Sequence, residues 1–284
     1  MVTQFHITEY QQNGFTVVRQ LFSKEEVQRY TDHYMDMRAK GSYPGDMSAS
    51  VPQSNDPLLK FPRMIHMHRW DETSLQWLLD TRLNQVMTAL LGGEPIAVQT
   101  MLYFKPPGAR GQALHQDQYY LRAKPGTCMA AWLALDRCDE ANGCMSIVPG
   151  SHAWDIICPM PADVTQSFTD VTVPLPEGAQ AESIIMEAGD VLFFNGTVVH
   201  GSNPNTTQDR FRRSLIGHYV QGDARQLTEF CLPGHRFDGS LVTAEDIAAS
   251  PTGGACGTWV SQDGTPVLEM AGTFDVTKRQ MERQ

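Results

Sequence analysis

The chain lacks several features that would classify it at once. It has no apolar run long enough to cross a bilayer, because charge, Gly or Pro interrupts the longest candidates. Its opening residues, MVTQFHITEYQQNGF, have neither the basic start nor the apolar stretch of a secretory signal. A soluble, cytoplasmic protein without a membrane partner is expected. No basic cluster stands out beyond Arg210, Arg212 and Arg213, and the formal net charge is −10, which argues against nucleic acid as a partner. The six cysteines, Cys128, Cys138, Cys144, Cys158, Cys231 and Cys256, include no CxxC pair, so zinc-ribbon and thioredoxin-like readings fail. A chain of 284 residues that is 41% hydrophobic can bury a core without disulfides, and buried free thiols are expected. There is no internal repeat and no low-complexity tract.

What is present divides near residue 94. Residues 6–22 predict a short helix followed by a strand from Phe15 to Arg19. Ser23-Lys-Glu-Glu26 is a capping box that opens a helix to about Lys40. Residues 41–60, rich in Gly, Pro, Ser and Asn, read as a loop whose length suits a lid or flap over a site. Residues 71–92 carry two short helical patterns that stop at Gly92-Gly93. From 94 onward short apolar runs alternate with turn residues. This predicts strands near 96–104, 113–121, 127–135, 144–148, 181–186, 190–195, 197–200 and 212–220, a mostly β sandwich or barrel with flanking helices. The expected organisation is one domain: a helical part over 1–93, a β core over about 94–220, and a segment over 221–284 that wraps it.

The chemistry concentrates in Leu114-His-Gln-Asp-Gln-Tyr-Tyr-Leu121. On an extended chain, His115 and Asp117 at i and i+2 leave the same face, so both heads can reach one cation. A hard carboxylate with imidazole suits iron(II) or manganese(II). Two ligands hold such an ion poorly, and His200 supplies the third, after the apolar run Val191–Phe194 and the turn at Asn195-Gly196. Two histidines and one carboxylate on one face leave positions open for a co-substrate and dioxygen. Gln116, between two inward residues, should point away from the metal. Methionines such as Met64 and Met67 read as core.

Twelve residues after His200, Phe211-Arg-Arg-Ser-Leu-Ile-Gly-His-Tyr-Val220 reads as a strand returning antiparallel to the His200 strand. A guanidinium there can clamp a carboxylate bidentately. Period-2 alternation allows only one of Arg212 and Arg213 to face inward. Ser202 can add a hydroxyl to the same carboxylate. His66 and His68 form a rival HxH pair that alternation would place on one face, but no carboxylate of suitable spacing accompanies them, and they read as pocket or structural residues. Pro149-Gly-Ser-His152 reads as a sharp turn, with His152 outside the metal set.

These pieces together resemble the phytanoyl-CoA dioxygenase family of iron(II)/2-oxoglutarate oxygenases. The matching segments run in family order over roughly residues 10–220. They are Lys105-Pro-Pro107, Leu114-His-Gln-Asp117, Trp132, Asn142-Gly-Cys-Met-Ser-Ile-Val-Pro-Gly-Ser-His152, Gly189-Asp190, His200-Gly-Ser202 and Phe211-Arg212-Arg213. The resemblance implies a double-stranded β-helix, a cupin-like jelly-roll core with helices backing one sheet. It implies iron on His115, Asp117 and His200, and 2-oxoglutarate and dioxygen as co-substrates. It places the distal carboxylate of 2-oxoglutarate on Arg212, with Ser202 beside it. It also places Trp132 and Met101 in the co-substrate pocket, with Tyr103 beside Met101 on the same face. Substrate contacts are expected from Gln118, Tyr120 and His66. The implied reaction is hydroxylation of a small organic molecule with release of succinate and carbon dioxide. Related halogenases replace the metal-binding carboxylate by a small residue, so Asp117 argues against halogenation. Two other readings stay open: a cupin-like metalloenzyme that dispenses with 2-oxoglutarate and Arg212, and a non-catalytic relative that only binds a small molecule.

Overall fold

A computed structural model describes residues 2–44 and 50–250, together with the backbone of two further strands, Thr258–Val260 and Pro266–Glu269. Part of the expected 41–60 loop and most of the C-terminal end of the 221–284 segment lie outside the described residues.

The N-terminal elements are α1 (Gln4–Asn13), β1 (Phe15–Val18) and α2 (Lys24–Ala39). The Ser23/Glu26 capping box is formed in both directions, with Ser23 N donating to Glu26 Oε2 at 2.8 Å. After the short helix α3 (Pro57–Lys60) and the two-residue strand β2 (Met64–Ile65) come α4 (Glu72–Leu78) and α5 (Thr81–Leu91). Asp71 and Asp80 cap these two helices by accepting from the N–H groups of Ser74 and Arg82. The strands of the β region follow: β3 (Ile96–Tyr103), β4 (Gln112–His115), β5 (Cys128–Ala134), β6 (Met145–Ile147), β7 (Met160–Pro161), β8 (Val171–Thr172), β9 (Glu182–Ile184), β10 (Val191–Asn195), β11 (His200–Ser202) and β12 (Ser214–Val220). A one-turn helix, α6 (Gln118–Leu121), interrupts them after β4. Four two-residue strands complete the region before 250: β13 (Gln226–Leu227), β14 (Gly234–His235), β15 (Leu241–Val242) and β16 (Ala248–Ala249).

Two sheets form the core. The larger runs β1-β10-β5-β12-β3-β14-β15, with β2 on β3, and the smaller runs β4-β11-β6-β9. Their facing surfaces enclose Ala130, Trp132, Leu192, Phe194 and Ile216 from the larger sheet, and Met145, Ile147 and Ile184 from the smaller. The residues between these in sequence, including Ala131, Leu133, Phe193 and Leu215, face the other way and pack on Tyr30, Tyr34, Trp77, Leu83 and Met87 of the helices. Strand alternation therefore sorts one set of strands into a helix-backed face and an inter-sheet face. Each large apolar side chain buried on the helix side adds roughly 1.5–3 kcal/mol of transfer free energy. This is the jelly-roll, mostly β and with flanking helices.

Three expectations are corrected. The strand predicted over 113–121 stops at His115, and Gln118–Leu121 turns as a helix. The strand after Arg212 does not return beside the His200 strand: β12 pairs with β3 and β5 in the opposite sheet, while β11 pairs with β4 and β6. The polar segment 203–213 crosses between sheets, and a loop of that length is compatible with either connection. His66 and His68 do not share a face. His66 takes a left-handed conformation (φ 59°) at the head of a short 3-10 turn, Met67–Arg69, which breaks the alternation. Cys128, Cys138, Cys144 and Cys231 are buried free thiols, whereas Cys158 is disulfide-bonded. No helix among the described residues is long and apolar enough to cross a membrane.

Candidate metal centre and cavity

His115 and His200 are brought together by pairing of β4 with β11, where they stand directly opposite one another with ring centroids 4.2 Å apart. Each ring is oriented by its own backbone: His115 Nδ1 lies 2.9 Å from Ala113 O and His200 Nδ1 lies 3.0 Å from Val198 O. Donation from Nδ1 leaves both Nε2 atoms as lone-pair donors, the tautomer a metal requires. Asp117 arrives by a different route from the one alternation suggests. It sits in helical conformation at the start of α6, and the next residue's N–H donates to Gly196 O at 2.8 Å. That bond pins α6 against the turn leading into β11. A Cβ at position 196 would collide with Cys128 Sγ and O, so only glycine permits the approach.

The result is a compact set. Asp117 Oδ1 lies 3.5 Å from His115 Nε2 and 3.7 Å from His200 Nε2, and one ligand atom from each residue falls within 4.8 Å of the others. Burial pushes the Asp117 carboxyl up, but His200, His115 and His218 outweigh it and hold the group well below the usual carboxylate range. Burial and the neighbouring His115 push His200 down to about 4, so it is neutral near pH 7. Two imidazoles and one carboxylate, all presented by Nε2 or Oδ1, fit a first-row divalent ion with open positions.

A cavity of about 980 Å³ opens onto this set. Met101, Tyr103, Trp132, Ser202 and Arg212 all line it, as do Tyr120 and His66. Arg212 is 3% exposed; Nε donates to Gly143 O at 3.0 Å, Nη1 to Ser214 Oγ at 3.1 Å, and its guanidinium lies 5.3 Å from the Trp132 ring. Arg213 faces away and forms a paired salt bridge to Asp136. Gln116 also turns away, donating to Thr197 O at 2.7 Å. Gln118 is directed elsewhere as well: its amide donates to Ala123 O at 2.7 Å and accepts from Cys128 N at 3.1 Å, which closes a loop outside the cavity. The helical turn after Asp117 is the reason, because it rotates Gln118 off the strand parity. His66 lines the cavity, and burial, with Arg69 and His218, pushes it down to about 4. His68 lies off the cavity, with Nδ1 2.9 Å from Thr100 Oγ1.

Two cavity residues went unassigned in the sequence. His218 Nε2 lies 3.2 Å from Asp117 Oδ2, bracing the carboxylate from the larger sheet. The signal was parity: Arg212, Ser214, Ile216 and His218 share one face of their strand. Gln99, opposite His218 on β3, follows from the same parity with Met101 and Tyr103.

Comparison with known proteins places this geometry. A family model described as Phytanoyl-CoA dioxygenase (PhyH) matches residues 10–214. The peroxisomal phytanoyl-CoA dioxygenase of Rattus norvegicus is 26% identical over 236 residues, covering 77% of this chain and 68% of the relative. The phytanoyl-CoA dioxygenase of Arabidopsis thaliana is 26% identical over 215 residues, covering 72% and 75%. Among solved structures, EvdO2 of Micromonospora carbonacea var. aurantiaca in complex with 2-oxoglutarate superposes with a TM-score of 0.62 at 18% identity, covering 78% of this chain and 92% of that one. EctD of S. alaskensis with 2-oxoglutarate and 5-hydroxyectoine superposes at 0.60 and 22% identity, covering 79% and 78%.

Proposed function

This chain belongs to the phytanoyl-CoA dioxygenase family of iron(II)/2-oxoglutarate-dependent oxygenases, and from that premise we propose which residues do what and what kind of molecule is oxidised. His115, Asp117 and His200 hold the iron. Arg212 and Ser202 receive the distal carboxylate of 2-oxoglutarate, with Trp132, Met101 and Tyr103 walling its carbon chain. When bound, iron with 2-oxoglutarate and dioxygen supplies the oxidising power, and succinate and carbon dioxide are released. The protein's own part is placement and exclusion of water. The two backbone carbonyls at Ala113 and Val198 keep the histidines in the metal-binding tautomer. His218 keeps one carboxylate oxygen of Asp117 occupied, so that the other is presented to the ion. No general base is needed, and none is assigned.

The substrate is a small organic molecule hydroxylated at a C–H bond. Its place is the end of the cavity beyond Asp117, where His66 and Gln99 offer polar contacts and Trp70 and Phe230 offer apolar ones. Along β12, Ser214 and His218 are four residues apart, about 13 Å of strand. Co-substrate anchor and substrate end are therefore separated by the metal set. Tyr120, in T-shaped contact with His115 at 6.4 Å, borders both the metal set and the cavity.

The observation that carries this reading is the convergence of the triad and the buried Arg212–Ser202 pair on one cavity. The test is succinate release across a metabolite library with iron(II), run with and without 2-oxoglutarate. Succinate formed in step with one hydroxylated product supports it. Product formed at full rate without 2-oxoglutarate would favour the cupin-like alternative. Absence of both succinate and bound iron would favour the non-catalytic one.

A further inference from the structure

Beside Arg212 lies a second buried cation that the reaction as derived does not use. Lys105 is 3% exposed and borders the cavity. Its Nζ donates to Gly143 O at 3.1 Å, to Ser202 Oγ at 2.8 Å and to Asn203 O. Gly143 O is also the acceptor of Arg212 Nε, and Ser202 Oγ also lies 3.5 Å from Arg212 Nη2. The backbones are joined as well, since Arg212 N donates to Lys105 O at 3.1 Å. Among the described residues neither cation forms an ion pair; the nearby acids are engaged elsewhere, Asp136 with Arg213 and Asp139 with Arg210. All acceptors around the pair are neutral.

Two like charges buried side by side without a carboxylate are costly, and an anionic group received between them would offset that cost. Local backbone is shaped around it. Lys105 adopts a left-handed conformation (φ 35°), and a Cβ at Gly143 would stand 2.9 Å from Lys105 Nζ. The hydroxyl of Ser202 is the point where the two cations meet. With Lys105 donating to Oγ and the Arg212 guanidinium crowding the same oxygen, the hydroxyl's own hydrogen is turned away from both.

We propose that Lys105 is a positioning residue for the co-substrate: it adds the second positive charge of the distal-carboxylate site and turns the Ser202 hydroxyl into a donor toward that carboxylate. This rests on the 2-oxoglutarate reading above. Burial and the adjacent Arg212 lower the Lys105 amine well below its ordinary range, as expected for a cation whose counter-charge arrives with a ligand.

The experiment compares two probes on the iron(II)-loaded protein under anaerobic conditions: 2-oxoglutarate, and 2-oxobutanoate, which has the same 2-oxo acid end and no distal carboxylate. Binding is read by calorimetry and by tryptophan fluorescence. The wild type should prefer 2-oxoglutarate. Lys105→Met should weaken 2-oxoglutarate by about thirtyfold, as for loss of a hydrogen bond to a charged group, and leave 2-oxobutanoate unchanged. Ser202→Ala should lower the same preference by roughly tenfold, and Lys105→Met in that background should add less than it does alone. A purely structural lysine would move both probes together or neither, and either result overturns the proposal. If Lys105→Met does not fold, Ser202→Ala decides: an undiminished preference overturns it. A wild type without preference for 2-oxoglutarate overturns the co-substrate reading itself, and this proposal with it.

Discussion

The larger sheet shows two unlike faces made from the same strands. Toward the helices, Leu102, Ala131, Leu133, Phe193 and Leu215 meet buried aromatic and aliphatic side chains, and Tyr219 OH donates to Leu78 O at 2.7 Å. Toward the smaller sheet, the alternate residues are Trp132, Ile216, Gln99, His218 and Arg212. His218 Nδ1 and the nearby His66 Nδ1 are buried without a partner among the described residues. Neighbouring residues in sequence therefore serve stability and chemistry separately, because a pleated strand sends them to opposite sides. Phe193 and Phe194 show this most directly: the first is wholly within the helix-side core, and the second lies 4.5 Å from the His200 ring.

Substitutions on either side should break that division if it is wrong. The largest effect belongs to Asp117→Ala, which should abolish iron retention and turnover while leaving the melting temperature of the metal-free protein close to wild type. Iron analysis after gel filtration and a melting curve check it, and retained stoichiometric iron would remove Asp117 from the ligand set. Phe193→Ala should do the reverse: a loss of roughly 3–5 kcal/mol of stability by urea unfolding, with iron affinity of the folded fraction unchanged. A smaller effect is expected where the inner face supports the metal indirectly. His218→Ala should weaken iron by about 10–100-fold in competition with a chelator, since it removes the brace on Asp117 Oδ2. Unchanged affinity would show that the carboxylate is positioned by its own turn alone.

How far the sequence carried this picture depends on which interactions were local. The capping box at Ser23, the glycine stop at Gly92 and the alternation of β3, β5, β10 and β12 are short-range signals, and they held. The three metal ligands were legible as a motif, yet the reason for their geometry was not. Asp117 reaches the site from a helical turn pinned to Gly196, a contact across 78 positions that no spacing announces. The same turn carried Gln118 out of the cavity. Whether the segment after Ser202 doubles back or crosses to the other sheet is a long-range matter, and the crossing is what sets Arg212 and Lys105 against Ser202 from the far side. His218 was readable by parity, because it stands six residues from Arg212 on one strand face.

The smallest effect concerns the two histidines that alternation would have placed together. His68 is 3% exposed; Thr100 Oγ1 meets its Nδ1, and its Nε2 has no partner among the described residues. Burial, with His66, His235 and Arg69 adding, pushes it down to about 3. Its folded value thus lies below the unfolded value of about 6.5, so the unfolded chain binds the extra proton first. Stability is complete above about pH 6.5 and falls as pH drops from there toward 3. Between pH 7 and 5.5 the linkage amounts to about 1.3 kcal/mol for this one group. Urea unfolding of wild type and His68→Asn at those two values isolates it, because the remaining titrating groups are common to both proteins. The stability gap between wild type and variant should narrow by about that amount at the lower pH. A gap that stays constant would mean that His68 is protonated in the fold, and that the helix side of the sheet tolerates charge as the cavity side does.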